Sequence, residues 1–317
     1  MKKDYSKIHP ELVQIAKKSP KFDFNKKNLW LMRLLMSLMP LAKAPRDVGI
    51  RNIFIPSNSG LRKIRLRVYK SKLATASSPV LIWMHGGGFV VGKPEQDDGC
   101  CIQYVQELGI VVVSIDYRCA PEHPFPAALE DCYAALSWVV ENAQELDIDK
   151  NRIALGGASA GGGLTAALAQ LILDRQEFKV VFQLLVYPML DDKTVLRPEV
   201  DDSNNVTWTQ QSNKFGWESY LGTICGTKDV AQYAVPIRRE DLSRLPPAWI
   251  GVGTLDIFHD ENLDYAKRLQ ASSVEVELVV IEGAFHGFDV FNPLLDVVRF
   301  FRTSQMAALK KYLCLPN

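Results

Sequence analysis

An α/β fold, with a mainly parallel sheet covered by helices on both faces, is predicted by three observations. Apolar runs of strand length alternate with helical patterns from about residue 79 to the end of the chain. Several of those runs, PVLIWM at 79–84 among them, are apolar without interruption, as strands buried on both faces are. Third, the stretch NRIALGGASAGGGLTAAL at 151–168 passes from an apolar run through Gly157-Ala158-Ser159-Ala160-Gly161 into a small-residue helical pattern. A G-x-S-x-G sequence at a strand-to-helix junction reads as a nucleophile elbow.

That pentapeptide dictates its own geometry. Projecting a serine hydroxyl from the end of a strand needs a turn so sharp that the serine is strained, and side chains two residues either side would collide with it. Glycines at 157 and 161 remove those collisions. The helix that follows begins at the serine, so its free N–H groups and positive end face any oxyanion formed there. Taken alone the pattern also fits a glycine-rich turn with an incidental serine, so Ser159 has to be judged by its partners.

Composition narrows the function. At 317 residues and 47% hydrophobic, the chain has ample material for a core and fits an α/β domain with insertions. A net charge of +1 supplies no basic field, and no nucleic-acid partner is expected. Cys100, Cys101, Cys119, Cys132, Cys225 and Cys314 form no C-x-x-C pair and are too sparse for a disulfide framework. His9, His85, His123, His259 and His286 form no H-E-x-x-H set, so no metal and no cofactor are expected.

Residues 1–45 carry two helical patterns, one around Leu12 to Ala16 before a run of lysines, the other from Leu29 to Met39 and apolar on most faces. Pro20 and Pro40 end them. A helix this apolar must be covered, by the rest of the protein or by lipid. A lid over an apolar cavity is the preferred reading, because methionines adapt to irregular surfaces; core packing and a peripheral membrane contact rank below it. Ala42-Lys43-Ala44 superficially fits a cleavage site, but the polar lead-in is too long and Arg33 interrupts the apolar run. That run is only about a dozen residues, short of the ~20 needed to span a bilayer. A cytoplasmic protein without membrane contact is expected.

Over 48–70 the pattern turns to period two, with a turn cluster at 56–60 and Ile64, Leu66 and Val68 alternating with Lys63, Arg65 and Arg67. This predicts an antiparallel hairpin at the sheet edge with one wet face. A small-residue linker at 74–78 leads into the buried strand 79–84, which ends in His85-Gly86-Gly87-Gly88-Phe89. Three glycines after a buried strand let the backbone approach a ligand and turn its amides inward, and no G-K-[ST] follows to make it a phosphate loop.

A helix at 96–108, a buried strand at 110–115 and a proline-rich loop at 116–126 come next, then a helix at 127–142. Asp116, Arg118, Glu122 and His123 are expected to brace that loop. Beyond the elbow helix lies a buried strand at 180–187 and then a long segment to 245, with Asp191, Asp192, Glu199, Asp201 and Asp202 near its start and Trp208, Phe215, Trp217 and Tyr220 in its middle. A connection that long is usually functional. It reads as a second part of the lid, its acidic start facing the lysine-rich N-terminus. Strand 248–253, helix 260–271, strand 276–281 and helix 293–312 complete the alternation.

A serine nucleophile needs a base, and the base an orienting acid. On a parallel sheet all three must come from loops at the carboxyl ends of the strands. Ser159, Asp256 and His286 each follow a predicted strand, in an order known for such triads. Asp260 competes with Asp256, but the first turn of a helix stabilises a carboxylate anyway, which favours Asp256. His85 is expected to fix the glycine loop, and His259 to begin a helix.

HGGGF at 85–89, YRCAPEHPFPAAL at 117–129, GASAGG at 157–162, DIFHDE at 256–261 and HGF at 286–288 together resemble the hormone-sensitive lipase family of bacterial esterases, from about residue 46 to the end. The resemblance implies an α/β-hydrolase fold with an eight-stranded, mostly parallel sheet under a helical cap. Residues 1–45 would be the N-terminal cap helices and 46–317 the catalytic domain, with 189–245 the second part of the cap. It also implies a serine carboxylesterase acting on short- to medium-chain acyl esters through an acyl-enzyme. Ser159 would be the nucleophile, His286 the base, Asp256 its orienter, and Gly87, Gly88 and Ala160 the oxyanion-hole amides. Two positions depart from the family pattern: Ala158, often acidic or threonine, and Gly163, often asparagine.

A deacetylase or amidase using the same triad is the nearest rival. A non-catalytic receptor of the same fold is a more distant one, since related receptors have lost the histidine that this chain keeps at 286. The expected partner is a small ester substrate. A homodimer through the last strand, 276–281, is also open.

Overall fold

The computed structural model describes residues 4–19, 22–38, 42–57, 60, 62–73, 77–197 and 205–313. The expectations for Pro20, Pro40, Glu199, Asp201, Asp202, Cys314 and most of the linker at 74–78 lie outside these residues. Eight strands form one sheet: β1 (Val48–Pro56), β2 (Lys63–Ser71), β3 (Ser78–Met84), β4 (Val111–Asp116), β5 (Ile148–Ala158), β6 (Phe182–Val186), β7 (Ala248–Gly253) and β8 (Val276–Ile281). Their order is β1-β2-β4-β3-β5-β6-β7-β8. β2 is antiparallel to β1 and β4, and every other pair is parallel. The described helices are α1 (Val13–Lys18), α2 (Leu29–Ser37), α3 (Asp98–Leu108), α4 (Ala127–Glu141), α5 (Ala143–Leu146), α6 (Ala160–Arg175), α7 (Gln210–Leu221), α8 (His259–Ala271) and α9 (Asp296–Tyr312).

Strand periodicity decides what each face meets. In β3, Val80, Ile82 and Met84 pack with Leu136 of α4 and Leu164 of α6, whereas Leu81 and Trp83 join Val105 of α3 and Phe301 of α9 on the other side. β4 divides in the same way, Val111, Val113 and Ile115 to one side and Val112 to the other. With helices on both faces these strands have no wet side, which is why PVLIWM carries no polar residue.

The hairpin corrects one expectation. The arginine face of β2 is covered: α3 and the 3₁₀ turn before it (Pro94–Asp97) bring carboxylates over it. Arg65 pairs with Glu95 and, through Nε at 2.9 Å, with Asp116. Arg67 is only 7% exposed and donates to Asp98 at 2.8 and 2.9 Å. Burial, the largest single influence, would raise the Glu95 carboxyl, but the hydrogen bond from Arg65, a backbone hydrogen bond and the charges of Arg65 and Arg67 together outweigh it and hold the group down at about 2. Alternating charge marked the right face and the wrong environment.

The N-terminal segment divides. Ile8, Leu12 and Ala16 are buried with Phe285 and Val298, the His9 amide donates to the Gly283 carbonyl at 2.9 Å, and the Val297 amide donates to Glu11 at 3.2 Å. α1 thus docks at the β8–α9 corner. α2 is held by Leu29 and by Arg33, whose guanidinium donates to the carbonyls of Val90 (2.9 Å) and Ala120 (2.7 Å) and to Glu122. Trp30, Leu31, Leu34, Leu35 and Leu38 remain exposed, against the expectation of a covered helix. The reason is that polar bonds from Arg33, more than the apolar stripe, fasten this helix.

A second correction concerns the segment after β6. Asp191 pairs with Arg197 at 3.3 Å, and Asp192 with Arg238 at 2.6 Å and the Gly226 amide at 2.6 Å. These carboxylates therefore neutralise cations of their own segment, not the N-terminal lysines. The two segments meet instead through Asp23 and Thr209, through the Phe24 amide donating to Ser212 Oγ at 3.0 Å, and through the rings of Phe24 and Trp208, 5.4 Å apart.

Candidate active site

β5 ends at Ala158, and α6 begins at Ala160, leaving Ser159 alone between them at φ 56°, ψ −120°. A positive φ costs a serine about 1–3 kcal/mol, so surrounding contacts must hold it there. They do: the Ser159 amide donates to the Val186 carbonyl at 2.9 Å, and the Ser159 carbonyl accepts from Gly163 and Met189, both at 3.0 Å. A Cβ on Gly157 would lie 2.4 Å from the Gly161 carbonyl oxygen, and one on Gly161 would lie 2.1 Å from that of Met84. Only glycine fits at either position.

His286 lies in the loop after β8, with Nε2 2.9 Å from Ser159 Oγ and Nδ1 2.8 Å from Asp256 Oδ2. Asp256, in the loop after β7, accepts the Phe258 amide on its other oxygen at 2.9 Å, which fixes the carboxylate plane. All three side chains are buried. The imidazole is flanked edge-on by Tyr187 (4.8 Å) and Phe258 (5.0 Å), and Thr207 Oγ1 donates to its backbone carbonyl. Asp260 points elsewhere: it is exposed and pairs with His259 at 2.8 Å. A hydroxyl, an imidazole and a buried carboxylate bonded in line can pass a proton from the first to the second while the third stabilises the resulting cation.

The glycine loop sits against this line. A Cβ on Gly86 would be 3.5 Å from Ser159 Cβ. Gly87 and Gly88 have φ of 122° and 59°, and a Cβ on Gly88 would strike the Trp208 ring at 2.0 Å. Among the described residues nothing accepts a hydrogen bond from the amides of Gly87, Gly88 or Ala160. The loop is braced from behind. Tyr117 donates to the His85 carbonyl at 2.7 Å and stacks on its ring at 4.1 Å, and His85 Nδ1 donates to the Gly86 carbonyl at 2.8 Å. Complete burial lowers the His85 pKa, so this ring is neutral and serves as a fixed donor.

The supporting roles of three residues escape sequence reasoning. Glu261 is fully buried, accepts from the amides of Leu190 (2.6 Å) and Asp191 (3.2 Å) and from Thr194, and so ties the acid loop to the segment after β6. Burial raises its pKa well above the carboxylate range against the pull of those donors. Its signal lay in the DIFHDE motif, but its partners are about seventy residues away. Trp208 was read only as part of the lid segment, without its place over Gly88, and Tyr187 only as the end of a buried strand.

Known proteins share this architecture. The model of a family described as alpha/beta hydrolase fold matches residues 81–290. Esterase LipI of Mycobacterium tuberculosis is 39% identical over 255 residues, 79% of either chain. An ethyl acetate hydrolase of Pseudomonas putida is 33% identical over 218 residues, 68% of either chain. The solved structure of a bacterial heroin esterase superimposes with a TM-score of 0.90 at 34% identity, covering 98% of this chain and 99% of that one. The eight-stranded, mostly parallel sheet and the relatives' shared ester chemistry point the same way, and the chain belongs to the alpha/beta hydrolase fold family, as a carboxylic ester hydrolase of the hormone-sensitive lipase kind.

Proposed function

We propose that this esterase works through an acyl-enzyme on Ser159. The observation that carries the reading is the unbroken line from Ser159 Oγ through His286 to Asp256, lying beside three amides with no acceptor among the described residues. His286 takes the hydroxyl proton as Ser159 attacks the ester carbonyl carbon, and Asp256 steadies the imidazolium. The tetrahedral oxyanion is held by the amides of Gly87, Gly88 and Ala160, each worth about 2.7–4 kcal/mol of transition-state stabilisation. His286 then protonates the departing alcohol, and water repeats the sequence to release the acid.

Residues 22–38 and 205–221 act together as the cap, and their meeting at Phe24 and Trp208 supports this. Trp208, packed over Gly88, forms a wall beside the site, which suits short to medium acyl groups. The resemblance to an ethyl acetate hydrolase points the same way. β8 is an edge strand with Leu278 and Val280 part-exposed, a surface through which two copies can pair. The five described cysteines are free thiols, which suits the reducing cytoplasm.

A series of p-nitrophenyl esters of increasing acyl length, with matched anilides, tests the reading on the wild type and Ser159→Ala. Activity should peak at short chains, favour esters and disappear in the variant. Anilides cleaved as fast as esters would point to an amidase instead.

A further inference from the structure

We propose that the outer face of α2 docks onto an anionic lipid surface. Trp30 (66% exposed), Leu31, Leu34, Leu35 and Leu38 (71% exposed) are bare on a nine-residue helix and the residue that follows it. At 3.6 residues per turn they fall within one arc of about 140°. The opposite side is occupied, by Leu29 in the core and by Arg33 on the carbonyls of Val90 and Ala120. Water therefore meets a continuous apolar stripe with a tryptophan at its start.

Charge identifies the occupant. Lys17, Lys18, Lys26, Lys27, Lys43 and Arg46 are exposed in the flanking chain, with Lys26 and Lys27 in the turn that enters the helix. Residues 17–46 contain one acidic side chain, Asp23, and it is bonded to Thr209. A short helix with Leu and Trp on one face and lysines around it lies in a bilayer interface, apolar side down, with its cations on lipid phosphates. A second copy is disfavoured because two such faces would bring like charges together. No described helix is long and apolar enough to cross a membrane. Because Arg33 ties α2 to the loop at Val90, docking sets the glycine-loop side of the molecule towards the lipid, where apolar esters concentrate. The inference does not depend on the roles given to Ser159, His286 or Asp256.

Sedimentation of the full chain with vesicles provides the test. Wild type should pellet with phosphatidylglycerol vesicles, much less with phosphatidylcholine vesicles, and less again at high salt. The triple variant Trp30→Ser, Leu34→Ser, Leu38→Ser should lose at least tenfold in partitioning with an unchanged melting temperature. Lys26→Gln with Lys27→Gln, which leaves the apolar face intact, should weaken binding to phosphatidylglycerol about twenty-five-fold, roughly fivefold per lysine. Wild type that stays in the supernatant overturns the proposal. So does a lysine variant that binds as tightly as wild type, or a wild-type dimer on a sizing column that becomes a monomer in the triple variant.

Discussion

Two aspartates four positions apart have opposite surroundings. Asp256 is buried against His286 Nδ1, and Asp260 is exposed beside His259. Asp256→Asn keeps the shape but offers the imidazole a donor as well as an acceptor, which favours the wrong tautomer and should lower kcat by about 10⁴-fold. Asp260→Asn should leave kcat near the wild-type value in steady-state assays; a large loss there would reverse the assignment. Ser159, Asp256 and His286 were legible because each follows a strand, and strand ends can be read from apolar runs. Gly163 was legible only as a departure from the family pattern. A Cβ there would lie 2.2 Å from the Met189 carbonyl oxygen, so the loop after β6 occupies the space that a side chain would need. That closeness joins residues distant along the chain, and no local pattern records it.

Local signals placed most elements well. Where they misled, a second element supplied what a single element could not reveal. The arginines of β2 looked solvated until α3 and the turn before it covered them, and α2 looked covered until Arg33 proved to be its anchor. The same turn carries a titration. The Asp97 carboxyl is pushed up to about 7, chiefly by burial, although Trp83 Nε1 donates to it at 2.8 Å and pulls the other way. The folded chain therefore keeps a proton that the unfolded chain releases near pH 4, so stability should fall as pH rises from about 4 to about 7. Asp97→Asn keeps an acceptor for Trp83 and cannot ionise. Urea midpoints across that range should lose this slope in the variant; an unchanged slope would move the titration to another group.

For the whole molecule, the sheet order brings the ends of β3, β5, β7 and β8 to one edge, so segments from 85 to 288 meet although they are far apart in sequence. This convergence was legible from strand alternation and the resemblance together. The sequence suggested a two-part lid over 1–45 and 189–245, but not the contact of Phe24 with Trp208, which is purely tertiary. The account requires that the convergence produce one activated serine among all the serines of the chain. Treating the protein with a p-nitrophenyl phosphonate and mapping the adduct by mass spectrometry tests that directly. A single phosphonyl group on Ser159, formed in step with loss of esterase activity and absent from His286→Ala, is the predicted result. Complete inactivation with the adduct on any other residue, or full esterase activity in a protein fully modified at Ser159, would contradict it.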